Sequence, residues 1–461
     1  MSGFIKQIGI KMVLAFGVFL LSPLSVFASE EASASGEPHG SFAITFLWIA
    51  VILIAAKISS LVEKWGQPSV LGELVIGVIL GNLALLGIHF FEPIKTDSII
   101  AFLAELGVVI LLFQIGLESN IMEMRKVGAR AGFVAVVGVI APFVLGTYLI
   151  GPMILPGLTT NAYLFLGAAL TATSVGITAR VFKDLGKLQS KEAKIVLGAA
   201  VIDDVLGLIL LAVISALVTT GAVSLGIVSI IVAKAVFFLI GAIVLGQLFA
   251  PRISKAFSLI NTGTGMKFTI AISFGLIFSY LAQVVGLAPI VGAFAAGLVL
   301  DPVHFRYFKD PEMVSEFKEA LSDLQVKSKE KIMARLNYYA KRHLEEVIEP
   351  IALFMVPIFF VFTGINVDLK TFLNPQVIIA GIVITFIAFI GKMVAGIVAG
   401  DVKRWIVGVA MVPRGEVGLI FATIGKQLGV VNDEVFSIII IMVILTTLLT
   451  PPLLATLLRK K

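Results

Sequence analysis

Two adjacent aspartates, Asp203 and Asp204, lie in the middle of an apolar run at 195–218. A membrane-crossing helix takes about 20 apolar residues, and a carboxylate at its centre costs roughly 2.5 kcal/mol or more. Two in succession point to an ion or proton pathway, the usual reason for acid at that depth. Lys392 sits equally deep in a second apolar run at 375–399, too far from either end for easy contact with water. A buried ammonium needs a counter-charge, and two aspartates sharing one site cannot both ionise cheaply without a cation. The economical arrangement pairs Asp203 with Lys392 and leaves Asp204 to take either a metal cation or a proton. Competition for one carboxylate would then couple the two ions. The alternative is a salt bridge that only fixes helix register.

Two further runs contain residues that interrupt helices. Thr171, Thr173, Ser174 and Thr178 put four hydroxyls around Gly176 inside one span, and Pro413-Arg414-Gly415-Glu416 puts a helix breaker between opposite charges inside another. Proline removes a helix hydrogen bond and glycine weakens the helix further. Non-helical backbone at membrane depth survives only where it lines a cavity or is buried in protein. Freed carbonyls and helix ends can there coordinate a cation beside a carboxylate. Thr173 and Ser174 are the candidates to share a hard cation such as sodium with Asp204, since oxygen ligands suit it. The alternative is a simple kink, with hydroxyls bonded back to carbonyls. At i,i+2, Arg414 and Glu416 cannot face each other on a regular helix, which weighs against a kink in the second run.

The elements that must hold these residues are membrane helices. The chain has 461 residues, of which 59% are hydrophobic and only 14% charged. That charge content is far below the roughly 25% of soluble domains. The formal charge of +6 resides in membrane-flanking loops and does not indicate nucleic acid; the absence of cysteine excludes disulfides and thiolate metal sites. Residues 1–28 read as a secretory signal, with Lys6 and Lys11 before an apolar core and Ala28 at a small-residue cleavage site. An uncleaved first helix is the alternative. A polar linker at 29–41 follows.

The remainder reads as thirteen spans near 42–60, 68–87, 98–117, 131–153, 161–179, 193–218, 223–248, 266–284, 287–300, 350–365, 375–399, 405–425 and 434–457. The fold class is therefore an all-α polytopic membrane protein. Loops on the side of the C-terminus are rich in basic residues, among them Arg125, Lys126, Lys183, Lys187, Arg252 and Arg459, whereas Lys95, Lys370 and Lys426 fall on the other side. Basic loops face the cytoplasm, which puts the mature N-terminus outside and the C-terminus inside. The charged stretch 301–349 is a cytoplasmic insert. Phe317, Leu321, Leu324 and then Ile332, Leu336, Tyr339 are helically spaced within it, so an amphipathic helix or two is expected in a solvated linker. Glu73, Glu105 and Lys234 are additional membrane charges, for which mutual pairing or cavity exposure is the expected explanation. All four histidines lie outside the spans, so any pH response is expected from the aspartates.

The spans also repeat. Ser174-Val175-Gly176-Ile177 resembles Glu416-Val417-Gly418-Leu419, and Leu185-Gly186 resembles Leu428-Gly429, at offsets of 242 and 243 residues. Gly116-Leu117 resembles Gly364-Ile365. Each pair lies seven spans apart, and an odd separation inverts one copy relative to the other. Inverted repeats characterise secondary transporters, whose sites lie where the repeats meet near the midplane.

With these residues in place, the sequence resembles the monovalent cation:proton antiporters of the second branch, the group of NapA-type sodium/proton antiporters and the Kef-type membrane domain. The resemblance rests on the glycine-spaced 71–81 segment, Phe113 to Glu118, the hydroxyl run at Thr171, Ile202-Asp203-Asp204, the 292–297 segment, Lys392 and Pro413 to Glu416, and covers about 42–457. It implies two inverted three-helix core units, taken as 131–218 and 375–457, and dimerisation or scaffold helices at 42–117 and 266–365. The interrupted helices would cross near the ion site, and the core would swing like an elevator. Asp204 would carry the cation or proton, and Asp203 would answer to Lys392. The aspartate pair with lysine implies electrogenic exchange, with more than one proton per cation. The partners implied are Na+ (or Li+ or K+), protons, membrane lipids and a second copy of the chain, in an inner or plasma membrane and in the service of pH homeostasis. Kef-type systems continue into a nucleotide-binding domain; with the sequence ending at Lys461, gating of that kind is not expected. No cofactor and no enzymatic activity are expected. An intramembrane aspartyl protease needs facing aspartates, whereas neighbours on a helix point about 100° apart. A potassium channel or Kef-type gated efflux protein is the alternative, against which the buried lysine and inverted repeats weigh.

Overall fold

The computed structural model describes residues 39–65, 67–118, 128–184, 186, 187, 190–220, 225–300, 308 and 329–459. The expected signal segment at 1–28 and most of the linker lie outside the described residues, as does most of 301–328. The chain divides into two compact units, Met1–Ala50 and Val51–Lys461. The described part of the first is the opening of helix α1 (His39–Ser59), and the candidate site residues all belong to the second.

The second unit is helical, with no strand among its described residues. Its helices are α2 (Ser69–Gly81), α3 (Ser98–Glu118), α4 (Ala129–Val144), α5 (Thr160–Ala169), α6 (Val175–Asp184), α7 (Lys191–Thr220), α8 (Leu225–Ser258), α9 (Thr264–Val284), α10 (Pro289–Val299), α11 (Lys329–Ile365), α12 (Pro375–Met393), α13 (Arg404–Ala410), α14 (Glu416–Gln427) and α15 (Asp433–Arg459). Among the described residues of the whole chain, nine helices are long and apolar enough to cross a membrane, and α2 and α10 are shorter apolar helices. The two interrupted pairs, α5/α6 and α13/α14, complete the thirteen spans read from the sequence. Large apolar side chains stay exposed along the long helices, among them Phe133 and Ile140 of α4, Phe237 and Leu245 of α8, and Phe386 of α12. A lipid-facing surface needs such side chains, and water would penalise them.

Some boundaries differ from the sequence reading. Helix α2 stops at Gly81 instead of running to 87, because Asn82 folds back over its end. The Asn82 Nδ2 donates to Val78 O and to Val367 O, and its Oδ1 accepts from the Leu369 N–H. One buried side chain thus caps a helix and ties it to the loop after α11. Helix α11 is described from Lys329, so residues 329–349 of the charged insert are not a separate linker. They run without a break into the tenth span.

Helix contacts sort the unit into two sets. In one, α3 packs on α10 and α11, and α11 packs on α2. Glycines make these crossings possible: a Cβ on Gly77 or Gly81 would overlap the Val361 and Ile365 carbonyls, and one on Gly297 would overlap the Phe113 carbonyl. In the other set, α4 packs on α7 as α12 packs on α15, and α4 also packs on α12. Ala131, Val134, Val196, Ala199, Val407 and Leu454 form its dry centre. Each of these paired units runs long helix, interrupted pair, long helix, which is the inverted repeat of the sequence in physical form.

Candidate functional site

The site is built at two helix breaks. The first separates α5 from α6: α5 ends at Ala169, and α6 begins at Val175. The second separates α13 from α14, between Ala410 and Glu416. Val175 and Val417 each fall in the first turn of a second half-helix, in the register of the 242-residue repeat. Pro413 has no N–H to give to Val409, whose carbonyl accepts from the Val412 N–H instead. Gly415 is needed because a Cβ there would come within 2.8 Å of the Ser174 Cβ.

Buried carbonyls released by a break must find donors. Here each carbonyl from Ala410 to Arg414 does. Ala410 O accepts from Thr178 Oγ1 (2.6 Å), Met411 O from Thr173 Oγ1 (3.0 Å) and Val412 O from an Arg414 Nη (2.8 Å). Pro413 O accepts from the Ser174 N–H (2.8 Å), and Arg414 O from Thr447 Oγ1 (2.5 Å). The first break therefore supplies donors to the second, and the two extended segments cross.

The paired charges lie beside this crossing. Lys392 Nζ donates to Asp203 Oδ1 at 2.7 Å, with both side chains fully buried. The other oxygen of Asp203 accepts the Thr173 N–H at 2.9 Å. Gly138 of α4 faces the ammonium, and a Cβ there would stand in ordinary contact, 3.4 Å from Lys392 Nζ. Asp203 is thus held on both oxygens. Its neighbour Asp204 is 8% exposed against 1% for Asp203, and it makes no hydrogen bond among the described residues.

Most of the expected site residues converge here, in different roles. The Thr173 hydroxyl and N–H are both engaged in the crossing, whereas Ser174 lines a cavity of about 160 Å³ with Arg414, Glu416 and Thr447. Thr171 is bonded locally to Ala168 O, and Gly176 lies inside α6. Arg414 is fully buried and forms no ion pair with Glu416 among the described residues; its guanidinium donates to the Met411, Val412 and Ala388 carbonyls. A planar fork of donors suits several fixed carbonyls better than an ammonium would. Thr447 and Gly138 were not singled out from the sequence. For Thr447 the available signal was Thr446, Thr447 and Thr450 in an apolar span; for Gly138 there was none.

A second cavity, of about 390 Å³, lies between the two helix sets at the end where α7 and α14 finish and α10 begins. Asp204 lines neither cavity. Leu208 and Ala212, one and two turns along its face of α7, are buried between it and the larger one.

This geometry has relatives. The family described as sodium/hydrogen exchanger, transmembrane, matches residues 49–321 and 332–460. The chain is 37% identical over 433 residues to the high-affinity Na(+)/H(+) antiporter NhaS3 of Synechocystis, covering 86% of this chain and 85% of that one. It is 34% identical over 403 residues to the Na(+)/H(+)-K(+) antiporter GerN of Bacillus cereus, covering 86% and 91%. Among solved structures it is similar to the sodium proton antiporter MjNhaP1 of Methanocaldococcus jannaschii, with a TM-score of 0.63 at 16% identity, over 91% of this chain and all of that one; at such identity the likeness concerns the fold alone. Matched over nearly its whole membrane region, with relatives above 30% identity along most of their own length, the chain belongs to the sodium/hydrogen exchanger family.

Proposed function

We propose that this protein exchanges a monovalent cation, sodium foremost, for protons across a membrane by alternating access, with Asp204 as the carboxylate for which the two ions compete. The observation that carries this reading is the asymmetry of the aspartate pair. Asp203 is fixed by Lys392 and the Thr173 N–H, whereas Asp204 has no bonded partner among the described residues. A carrier must bind and release the metal cation, and a carboxylate already paired with an ammonium is not free to take it. Any proton beyond the first therefore falls to the Asp203–Lys392 pair. Ser174, in the cavity at the crossing, supplies a second oxygen ligand, with Thr173 holding the backbone in place. The core units at 131–218 and 375–457 move against the helices of 42–117 and 266–365, which pair with a second copy. The basic loops face the cytoplasm of an inner or plasma membrane, more than one proton crosses per cation, and the exchange serves pH homeostasis.

The test is exchange in proteoliposomes. Asp204→Asn abolishes sodium-driven proton movement; exchange that survived the substitution unchanged would refute the assignment. In the native protein the apparent KM for sodium rises as the pH falls, by up to about tenfold per unit where protons occupy the carboxylate, because the ligand must be deprotonated to bind metal. A pH-independent KM, or single-channel currents, would count against a shared carboxylate.

A further inference from the structure

Glu105 is a carboxylate the exchange reaction does not use. It lies seven residues into α3, about 10 Å from that helix's start. No ion pair or hydrogen bond holds it among the described residues. A carboxylate at membrane depth without a cationic partner is tolerable where it faces water, and Glu105 lines the 390 Å³ cavity. With it in the lining are Ser215 and Thr219 of α7, Gln283 of α9, and Thr423 and Gln427 of α14. The hydroxyl oxygens of Ser215 and Thr423 are buried and have no hydrogen-bond partner among the described residues. Such groups cost free energy unless something occupies them. At roughly 30 Å³ per water the cavity has room for a monovalent cation with its hydration shell.

The helix periods aim this cavity at the carrier. Ser215 lies eleven positions after Asp204 on α7, which is about 16 Å along the axis and within about 20° of the same face. Thr423 and Gln427 stand seven and eleven positions after Glu416 on α14, again on one face. The faces that carry these oxygens therefore point from the cavity toward the helix breaks, with buried apolar residues, Leu208 and Ala212 on α7 and Leu419 and Ile420 on α14, closing the way between.

We infer that this cavity is a second, transient cation site, in which Glu105 draws in a partly hydrated monovalent cation and the Ser215 and Thr423 hydroxyls replace lost waters before it passes to Asp204. The site lies on the face that the basic-loop distribution assigns to the outside. One carboxylate in a narrow vestibule raises the local cation concentration and does not alter the exchange step itself. This inference rests on the antiport reading.

Glu105→Gln is expected to raise the apparent KM for sodium about three- to tenfold while leaving kcat within about twofold, as loss of a binding contact outside the transfer step should. Glu105→Asp restores the native KM to within about twofold. A KM unchanged in Glu105→Gln, or a fall in kcat alone, overturns the site. Because the chain has no cysteine, a single Thr219→Cys placed in the Glu105→Gln background reports on the cavity without interference. An anionic methanethiosulfonate lowers the KM and a cationic one does not. Equal responses to the two reagents, or a cysteine that neither reaches, also overturn it. Wild-type vesicles without sodium-driven proton movement would sink the antiport reading instead, and the labelling of Thr219→Cys reads the cavity independently of exchange.

Discussion

Removing Lys392 should cost far more than removing Lys392 and the charge of Asp203 together. The ammonium and carboxylate stand 2.7 Å apart with no exposed side-chain surface. At an effective dielectric constant near 20 their attraction is about 6 kcal/mol. Withdrawing each ion from water costs several kcal/mol, so the pair contributes little net. Lys392→Met abolishes the attraction but leaves Asp203 buried and charged, a loss of about 3–5 kcal/mol. In Asp203→Asn/Lys392→Met no charge is stranded, and the carbonyl oxygen of the substituted amide can still accept the Thr173 N–H that Asp203 now accepts. The double variant should therefore recover most of the loss, giving a coupling free energy of about 3 kcal/mol or more in a double-mutant cycle. Reversible unfolding in detergent measures the cycle. Exchange in the same preparations should persist in the double variant, because Asp204 is untouched. A Lys392→Met protein within about 1 kcal/mol of wild type would refute the buried ion pair, and strict additivity of the two single variants would refute the coupling.

Three other predictions test the framework around the site. Arg414→Lys keeps the charge but gives up the fork to Met411, Val412 and Ala388, and is expected to lose about 1–3 kcal/mol and most exchange activity; native activity in this variant would show that charge alone suffices. Thr447→Val, read by the same unfolding measurement, strands the Arg414 carbonyl at a cost of about 1–3 kcal/mol. Gly77→Ala and Gly297→Ala each push a methyl into a carbonyl of the facing helix and should lose about 1–3 kcal/mol despite alanine's better helix propensity. Gly241→Ala, where a Cβ meets nothing within 4 Å, should be neutral or stabilising by up to about 1 kcal/mol. If all three glycine variants behaved alike in thermal unfolding, the close crossings would not lie at Gly77 and Gly297.

The pairing of Asp203 with Lys392 was legible in the sequence because a buried charge demands an opposite one, and few membrane charges were available to choose among. The breaks were legible because Pro413, Gly415 and the hydroxyls at Thr171 to Ser174 are poor company for a membrane helix. What those hydroxyls do was not. Carbonyls carry no mark in a sequence, so nothing at Thr178 or Thr447 names Ala410 or Arg414 as partner. For the same reason Arg414 stood in the sequence only as a charge beside a helix breaker, and its backbone-oxygen partners were not legible. The match of Gly72 and Gly77 to Gly292 and Gly297, both pairs five apart, was also present in the letters. Its meaning, a crossing where a Cβ cannot fit, needs the facing helix.

The helix breaks hold together without a cation, since every carbonyl from Ala410 to Arg414 already has a protein donor. On the proposed carrier role of Asp204, loaded and empty carriers share one backbone shape and differ in net charge at that carboxylate. Slip, the uncoupled return of an empty carrier, cannot be blocked by collapse of the crossing. It is blocked by the cost of taking a bare carboxylate through apolar surroundings, a cost that either a proton or a sodium ion removes. On that reading tight coupling is an electrostatic barrier raised by the Asp204 carboxylate, and a neutral residue there would remove the barrier along with the cargo.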